Sequence, residues 1–538
     1  MTMKTIKYLF LSALLVGFTA CSDDDSNNNN SSTEPLPALT AGEADFSNYV
    51  AVGASFSAGF TDNALFIAGQ ENSFPNMLSQ KFALVGGGSF NQPLMNDNIG
   101  GFLVGGAPSA SPRLYFDGSG PAVLPATPTT EITTPLSGSF NNYGIPGLKS
   151  FHLVFPGYGA LNPYFGRMAS SASATVLGDA TAQNATFFTL SEIGGNDVLS
   201  YATSGGTGVD QTGNLDPTTY GYYDITDPTV FAASLTTAVD ALTANGAKGV
   251  IANVPYITDL AHFTTVPHNP LDPSNPSFGP QIPMLNSIFG AINQIYDALG
   301  HPERAIVFSE TEASAVVIKD ESLTDLSTQI TQALMASPTF PAFIAQFGLQ
   351  PADAPLVAGL LGQTYGQTRQ ATEEDLFVLP SSSVIGTVNN DYATILAGQG
   401  LPAQLAGQFS IEGITLPLED KWVLIPSEQQ SIKTATDAYN ATIESLATDR
   451  GLALVDFKAI LQEASTTGLY YEPFVLNTNF VTGGLISLDG VHLTARGYAA
   501  MANEMLKAID ATYGSNFEAS GNLLNVGDFP TNYPVSLQ

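Results

Sequence analysis

The sequence predicts an α/β protein in which helices wrap a parallel sheet. From Tyr49 onward, short apolar runs alternate with longer stretches of helical apolar spacing, the rhythm of strand–helix–strand units rather than of hairpins. The chain has 538 residues, 44% of them hydrophobic and only 12% charged, which is ample material for a large core. Disorder needs low hydrophobicity together with high charge, and only the first 45 or so residues come near that.

The elements follow in order. Tyr49-Val50-Ala51-Val52 reads as the first strand, ending at Gly53, and Phe74 to Phe82 as a helix. Thr186 to Ile193 is a second strand. Phe231 to Leu242 is a helix, and Gly249 to Val254 a strand after the break at Gly246. Ile282 to Leu299 is helical, Ala305 to Ser309 another strand, Glu428 to Ala447 a long helix, Ala453 to Asp456 a strand, and Thr494 to Tyr513 the last helix. Stretches 86–140 and 200–227 are rich in Gly, Pro, Ser and Thr and read as long loops. Residues 311–425 carry their own helical patterns, such as Leu323 to Met335 and Phe340 to Phe347, and read as an insertion over one end of the sheet. Residues 514–538 read as a surface-packed tail.

Charge and cysteine content narrow the function classes. The formal charge is −32, from 16 basic and 48 acidic residues. Polyanion binding needs clustered Lys and Arg, and the chain has no such cluster, so nucleic acid is not an expected partner. Cys21 is the single cysteine, which excludes an internal disulfide and a thiolate metal site. The five histidines show no metal-ligand spacing, so a protein-bound transition metal is not expected.

The first twenty residues read as an address. Lys4 and Lys7 precede an apolar run from Tyr8 to Phe18, too short to span a bilayer and fitting a secretory signal. Thr19-Ala20 leads into Cys21, as in the lipobox of bacterial lipoproteins, with Phe18 where Leu is commoner. Asp23-Asp24-Asp25 and an Asn/Ser run follow. The acidic start resembles the surface-export signals of Bacteroidetes lipoproteins. The organisation expected is a signal peptide over 1–20, lipidation at Cys21, a flexible tether over 21–45, a domain over 46–513 and the tail. The expected location is the cell envelope, as an outer-membrane lipoprotein exposed at the cell surface.

Four blocks could carry chemistry. Gly53-Ala54-Ser55-Phe56-Ser57-Ala58-Gly59 places Ser55 just past the first strand, where α/β sheets present reactive groups. It is not G-x-S-x-G, because Gly59 lies four residues after Ser55. Asn142-Tyr143-Gly144-Ile145-Pro146-Gly147 is a glycine turn. Ile193-Gly194-Gly195-Asn196-Asp197 closes the second strand with an amide donor at Asn196. Asp489-Gly490-Val491-His492 sets a carboxylate three residues before a histidine, close enough to accept from its Nδ1–H and leave Nε2 as a base. Asp259-Leu260-Ala261-His262 has the same spacing. It stands at the start of a long connection, whereas His492 lies in a short loop closed by Thr494, a helix N-cap type.

Taken in order, these blocks resemble the SGNH (GDSL) esterase and lipase superfamily, from Tyr49 to about Tyr513. Asn72-Ser73-Phe74-Pro75 also resembles a helix start seen there. The resemblance implies a three-layer α/β/α flavodoxin-like fold and a serine ester hydrolase that needs no cofactor. It assigns Ser55 as nucleophile, His492 as base and Asp489 as its orienting acid. The oxyanion hole falls to the backbone N–H groups of Ser55 and Gly147 and the Asn196 side chain. The chain departs from G-D-S-L at Ala54, where the family has a supporting Asp, and at Phe56. The substrate implied is a small-molecule or glycan ester. A carbohydrate O-acetyl esterase and a catalytically silent ligand-binding lipoprotein are the alternatives.

Overall fold

A five-stranded, fully parallel sheet carries the fold of the computed structural model, which describes residues 35–538. Its strands are β1 (Tyr49–Gly53), β2 (Asn142–Gly144), β3 (Phe187–Leu190), β4 (Lys248–Ala252) and β5 (Ala453–Val455). Their spatial order is β5-β4-β3-β1-β2. Val52 lies opposite Tyr143 on one side and Leu190 on the other. All residues of β1 and β3 are buried, as expected of a parallel sheet covered on both faces.

Two helix pairs flank the sheet: α2 (Phe74–Ala83) with α8 (Ala495–Tyr513), and α4 (Pro228–Thr243) with α6 (Pro426–Arg450). Between β1, β3 and α2 the core is aromatic, with Phe46 stacked on Phe82 at 4.0 Å and Phe187 edge-on to both. Phe231 stacks on Tyr439 at 4.2 Å to join α4 to α6. Among the described residues no helix is long and apolar enough to cross a membrane.

The chain order reverses at β1. The chain leaves β1 for the edge strand β2, then returns past β1 to β3. In sheets of this kind the crevice beyond the carboxyl ends of strands at such a reversal is where ligands sit. α1 (Ser55–Ala58) starts at the end of β1, and α3 (Gly195–Thr203) starts just beyond β3.

Several elements differ from the sequence expectation. β3 ends at Leu190, not Ile193, because Glu192 takes a left-handed backbone with φ 55°. Ala305–Ser309, expected as a strand, forms none and joins no sheet among the described residues. Two asparagines seven residues apart on α5 (Ile282–Ala298) satisfy its backbone instead: Asn293 bonds both polar groups of Ile306, and Asn286 both of Phe308. α5 belongs to a second hydrophobic cluster that spans Val266 to Ile425, so the block 311–425 shares its core with residues upstream of it. The polar stretch read as a tether is already ordered before residue 45. Thr40 N–H donates to Asn516 Oδ1, Glu43 N–H donates to Tyr513 O, and Ala44 is buried. Residues 1–34, with the signal segment and Cys21, lie outside the described residues.

Candidate active site

Ser55 opens α1 directly after β1 and is only 8% exposed. A helix start leaves N–H groups unsatisfied, and a side-chain oxygen at the N-cap usually takes one of them. Ala54 occupies that position and has no such oxygen. The Glu192 carboxylate serves instead, reaching over from the end of β3. Its Oε1 accepts the N–H of Ala54 and that of Ser57, the latter at 2.9 Å. A Cβ at Gly53 would overlap both Ser57 Oγ and Glu192 Oε1, so only glycine fits there. Burial pushes the Glu192 carboxyl up to about 7, against the opposing pull of Ser57, Ala54 and nearby His492.

His492 and Asp489 meet as the spacing predicts. His492 Nδ1 lies 3.0 Å from Asp489 Oδ2. Oδ1 accepts the N–H groups of Val491 and His492, each at 2.8 Å, and Oδ2 that of Asn63, also at 2.8 Å. Burial alone would raise this carboxyl, but His492 and the backbone donors hold it well below the usual carboxylate range. An ionised carboxylate only accepts, so Nδ1 carries the proton and Nε2 is left as acceptor. Thr494 caps α8 through its bond from Gly497 N–H at 2.9 Å, closing the loop as expected.

The segment after the nucleophile is stitched to the histidine loop. Thr61 Oγ1 donates to Leu493 O at 2.9 Å, Leu488 N–H donates to Asp62 Oδ1 at 3.1 Å, and Tyr498 OH donates to Phe60 O at 2.6 Å. The Phe60 and Phe56 rings flank His492, with centroids 4.6 Å and 5.6 Å away. Asp62 is 1% exposed, and burial pushes its carboxyl up to about 7.

The oxyanion-hole candidates are tied to each other. Asn196 Nδ2 donates one hydrogen to Leu148 O at 3.0 Å, leaving its second free. Ser150 donates through N–H and Oγ to the buried Asp197 carboxylate. These bonds lock the Gly147 turn against the start of α3. Gly147 has φ 79° and open space where a Cβ would stand. Among the described residues neither Ser55 N–H nor Gly147 N–H donates to a protein acceptor.

Ser55 and Asn196 line one apolar cavity of about 120 Å³, together with Val491 and Leu493 on either side of His492. No residue of 311–425 lines it, so the insertion does not roof this cavity. No hydrogen bond joins Ser55 Oγ to His492 among the described residues; such bonds commonly tighten only when substrate arrives.

The rival pair does not form. Asp259 makes no hydrogen bond to His262. His262 sits in the short helix Ala261–Thr264, is 8% exposed, and among the described residues has no partner for either ring nitrogen. Its N–H donates to Gly490 O at 2.9 Å, so it packs directly beneath the Asp489–His492 turn. Burial lowers its pKa and keeps the ring neutral.

Sequence reasoning missed Glu192, Asp62 and Asn63. Glu192 did leave a signal, as the one acid inside the apolar run Thr186 to Ile193. Asp62 and Asn63 left none, because their importance lies in partners more than 400 positions away. No protein-family model, no curated protein and no solved structure matches this chain.

Proposed function

We propose that the chain is a serine ester hydrolase of the SGNH (GDSL-like) kind. One observation carries the reading. A buried, ionised Asp489 orients His492, and their loop is hydrogen-bonded to the segment that follows a serine at the carboxyl end of β1. The order β5-β4-β3-β1-β2 is the 2-1-3-4-5 order of flavodoxin-like sheets and supports the same reading.

In this mechanism Ser55 Oγ attacks the ester carbonyl while His492 Nε2 takes its proton. The carbonyl oxygen becomes an oxyanion received by Ser55 N–H, Gly147 N–H and Asn196 Nδ2, each donor worth about 3 kcal/mol of barrier. Collapse breaks the ester C–O bond, and the imidazolium passes its proton to the leaving alkoxide. Water, deprotonated by His492, then attacks the acyl-enzyme. The acid departs, and Ser55 recovers its proton. Asp489 stays ionised throughout and balances the transient imidazolium.

Glu192 supports this reading where Ala54 weakened it, since a carboxylate again braces the nucleophile turn. Ser55→Ala should abolish turnover of a p-nitrophenyl ester and fluorophosphonate labelling with little change in melting; labelling that persists would exclude Ser55. Anchoring at the cell envelope through a lipidated Cys21, with the domain outside the outer membrane, belongs to the same proposal. A Cys21→Ala protein that stays membrane-bound at high salt would overturn that part.

A further inference from the structure

The cavity beside Ser55 has a direction. Along α8 it is lined by Gly497, Ala500, Met501 and Glu504, spaced to share one helix face. From Gly497, next to the histidine loop, to Glu504 is a rise of about 10 Å. Ser55 and Asn196 stand on the wall at the sheet edge. Between the two ends the surface is apolar, supplied by Leu260 from beyond β4, Phe457 and Ile460 from α7 (Phe457–Thr466), and Met501. The Glu504 end is polar. Tyr471 OH donates to Glu504 Oε1 at 2.9 Å, and Lys507 Nζ pairs with the same oxygen at 2.8 Å.

The two halves of an ester would leave this site on different sides. Val491 and Leu493 line the cavity, and His492 between them does not. His492 lies against Phe56, a ring of the cavity wall, and against Phe60, which is outside it. The leaving alkoxide has to meet His492, so it departs on that side. The acyl group, bonded to Ser55 Oγ in the intermediate, is the half that can stay in the cavity.

Resting on the hydrolase reading, we infer that this cavity is an acyl site for straight-chain aliphatic carboxylic esters of short length. Its volume of about 120 Å³ approaches that of apolar cavities known to take a benzene molecule, which corresponds to about six carbons. The Glu504 carboxylate with its two partners ends the apolar path and disfavours a second carboxylate on the acyl chain. A longer chain would have to break the Tyr471–Glu504–Lys507 group or leave its end in water.

The test is kcat/KM for p-nitrophenyl acetate, butanoate, hexanoate, decanoate and hexadecanoate. It is run on wild type and on Ile460→Trp and Met501→Trp, with fluorophosphonate labelling of Ser55 in every sample. Ile460 is half-buried, so its replacement can be accommodated if Met501→Trp fails to fold. In wild type kcat/KM should rise about fourfold per methylene up to hexanoate and stop rising by decanoate. In the filled variants the hexanoate-to-acetate ratio should fall at least tenfold while Ser55 still labels. A flat chain-length profile with Ser55 labelled would overturn the acyl site and leave the hydrolase standing, as would a ratio unchanged by both tryptophans. Absence of labelling and of all turnover in wild type would overturn both.

Discussion

Glu192 and Ala54 are joined across the reversal point of the sheet, the carboxylate at the end of β3 accepting the backbone N–H that precedes the nucleophile. A brace that an N-cap side chain would normally supply from its own turn comes here from the neighbouring strand. Its cost is visible in the left-handed backbone of Glu192, a non-glycine residue, since such conformations persist only where surrounding contacts hold them.

Removing that brace should separate position from stability. Glu192→Gln keeps an oxygen acceptor for the Ala54 and Ser57 N–H groups and should stay within about tenfold of wild-type kcat. Glu192→Ala leaves both donors buried and unsatisfied, a loss of about 1–3 kcal/mol each. Its kcat should fall further than its KM changes, because Ser55 itself loses its fixed position. Equal kinetics for the two variants would mean the carboxylate is not holding the turn.

Acid–base linkage gives a second expectation. Burial raises Glu192 from an ordinary 4.5 to about 7, and Asp62 from 3.8 to about 7. Between those values the folded protein binds protons that the unfolded chain releases, so both groups make stability fall as pH rises through this window. Asp489 is depressed, and its contribution is lost only as pH falls below the ordinary 3.8. Melting midpoints should therefore decline from pH about 4.5 to about 7, and less steeply in Glu192→Gln. An unchanged slope in that variant would assign the dependence to other groups.

The two histidines beside the Gly490 turn should behave differently. His492→Ala should lower kcat by about 10⁴-fold, since members of a triad act as a unit. Asp489→Ala should cost less, because the acid orients and stabilises the base without itself accepting the proton. His262→Ala should reduce stability through the space left under Gly490 and keep hydrolysis within about tenfold, consistent with its neutral, bond-free ring. Steady-state rates alongside thermal melts decide it; His262 essential with His492 dispensable would reverse the site assignment.

The second hydrophobic cluster should open as one unit. Tyr296 OH bonds Tyr365 O at 2.6 Å and Tyr365 OH bonds Thr415 O at 2.7 Å, linking three parts of it through buried tyrosines. Amides of Ile330, Leu334 and Leu361 should exchange together and faster than those of Val50 and Val52 in the central strand. Protection equal to that of β1 would make the two clusters one cooperative core.

The fold and the site were legible to different depths. Periodicity found all but one strand of the main sheet and each of its flanking helices, because those elements bury a repeating face. Only β2, three residues in a glycine turn, escaped as a strand, being too short for any period to register. Ala305–Ser309 misled for the converse reason: its apolar spacing is that of a strand, but its backbone partners are side-chain amides on α5. Asp489–His492 was readable because both partners sit in one loop. Its resolution from Asp259–His262 needed position, since the spacing is identical. Glu192 could not be assigned from spacing at all, because what it satisfies belongs to a different strand.

Arg113 has a consequence for timing. Its fully buried guanidinium gives all its hydrogens to carbonyl oxygens, those of Asn98, Leu114, Tyr533, Pro534 and Leu537, and it stands close enough to Asp62 to feel its charge. The bond to Tyr533 spans 420 positions, and contacts of such separation form late, after the intervening chain has collapsed. Until then a buried cation lacks most of its acceptors, and the neighbouring Leu114, whose N–H donates to Asp62 O, is not yet fixed against the loop carrying Asp62 and Asn63. Assembly should thus run in two stages, a sheet formed early and a reactive edge completed only when the tail arrives. In refolding, helical and strand signals should return before Ser55 regains fluorophosphonate reactivity; simultaneous recovery would dissolve the distinction. A chain paused between these stages would be folded in outline and chemically silent.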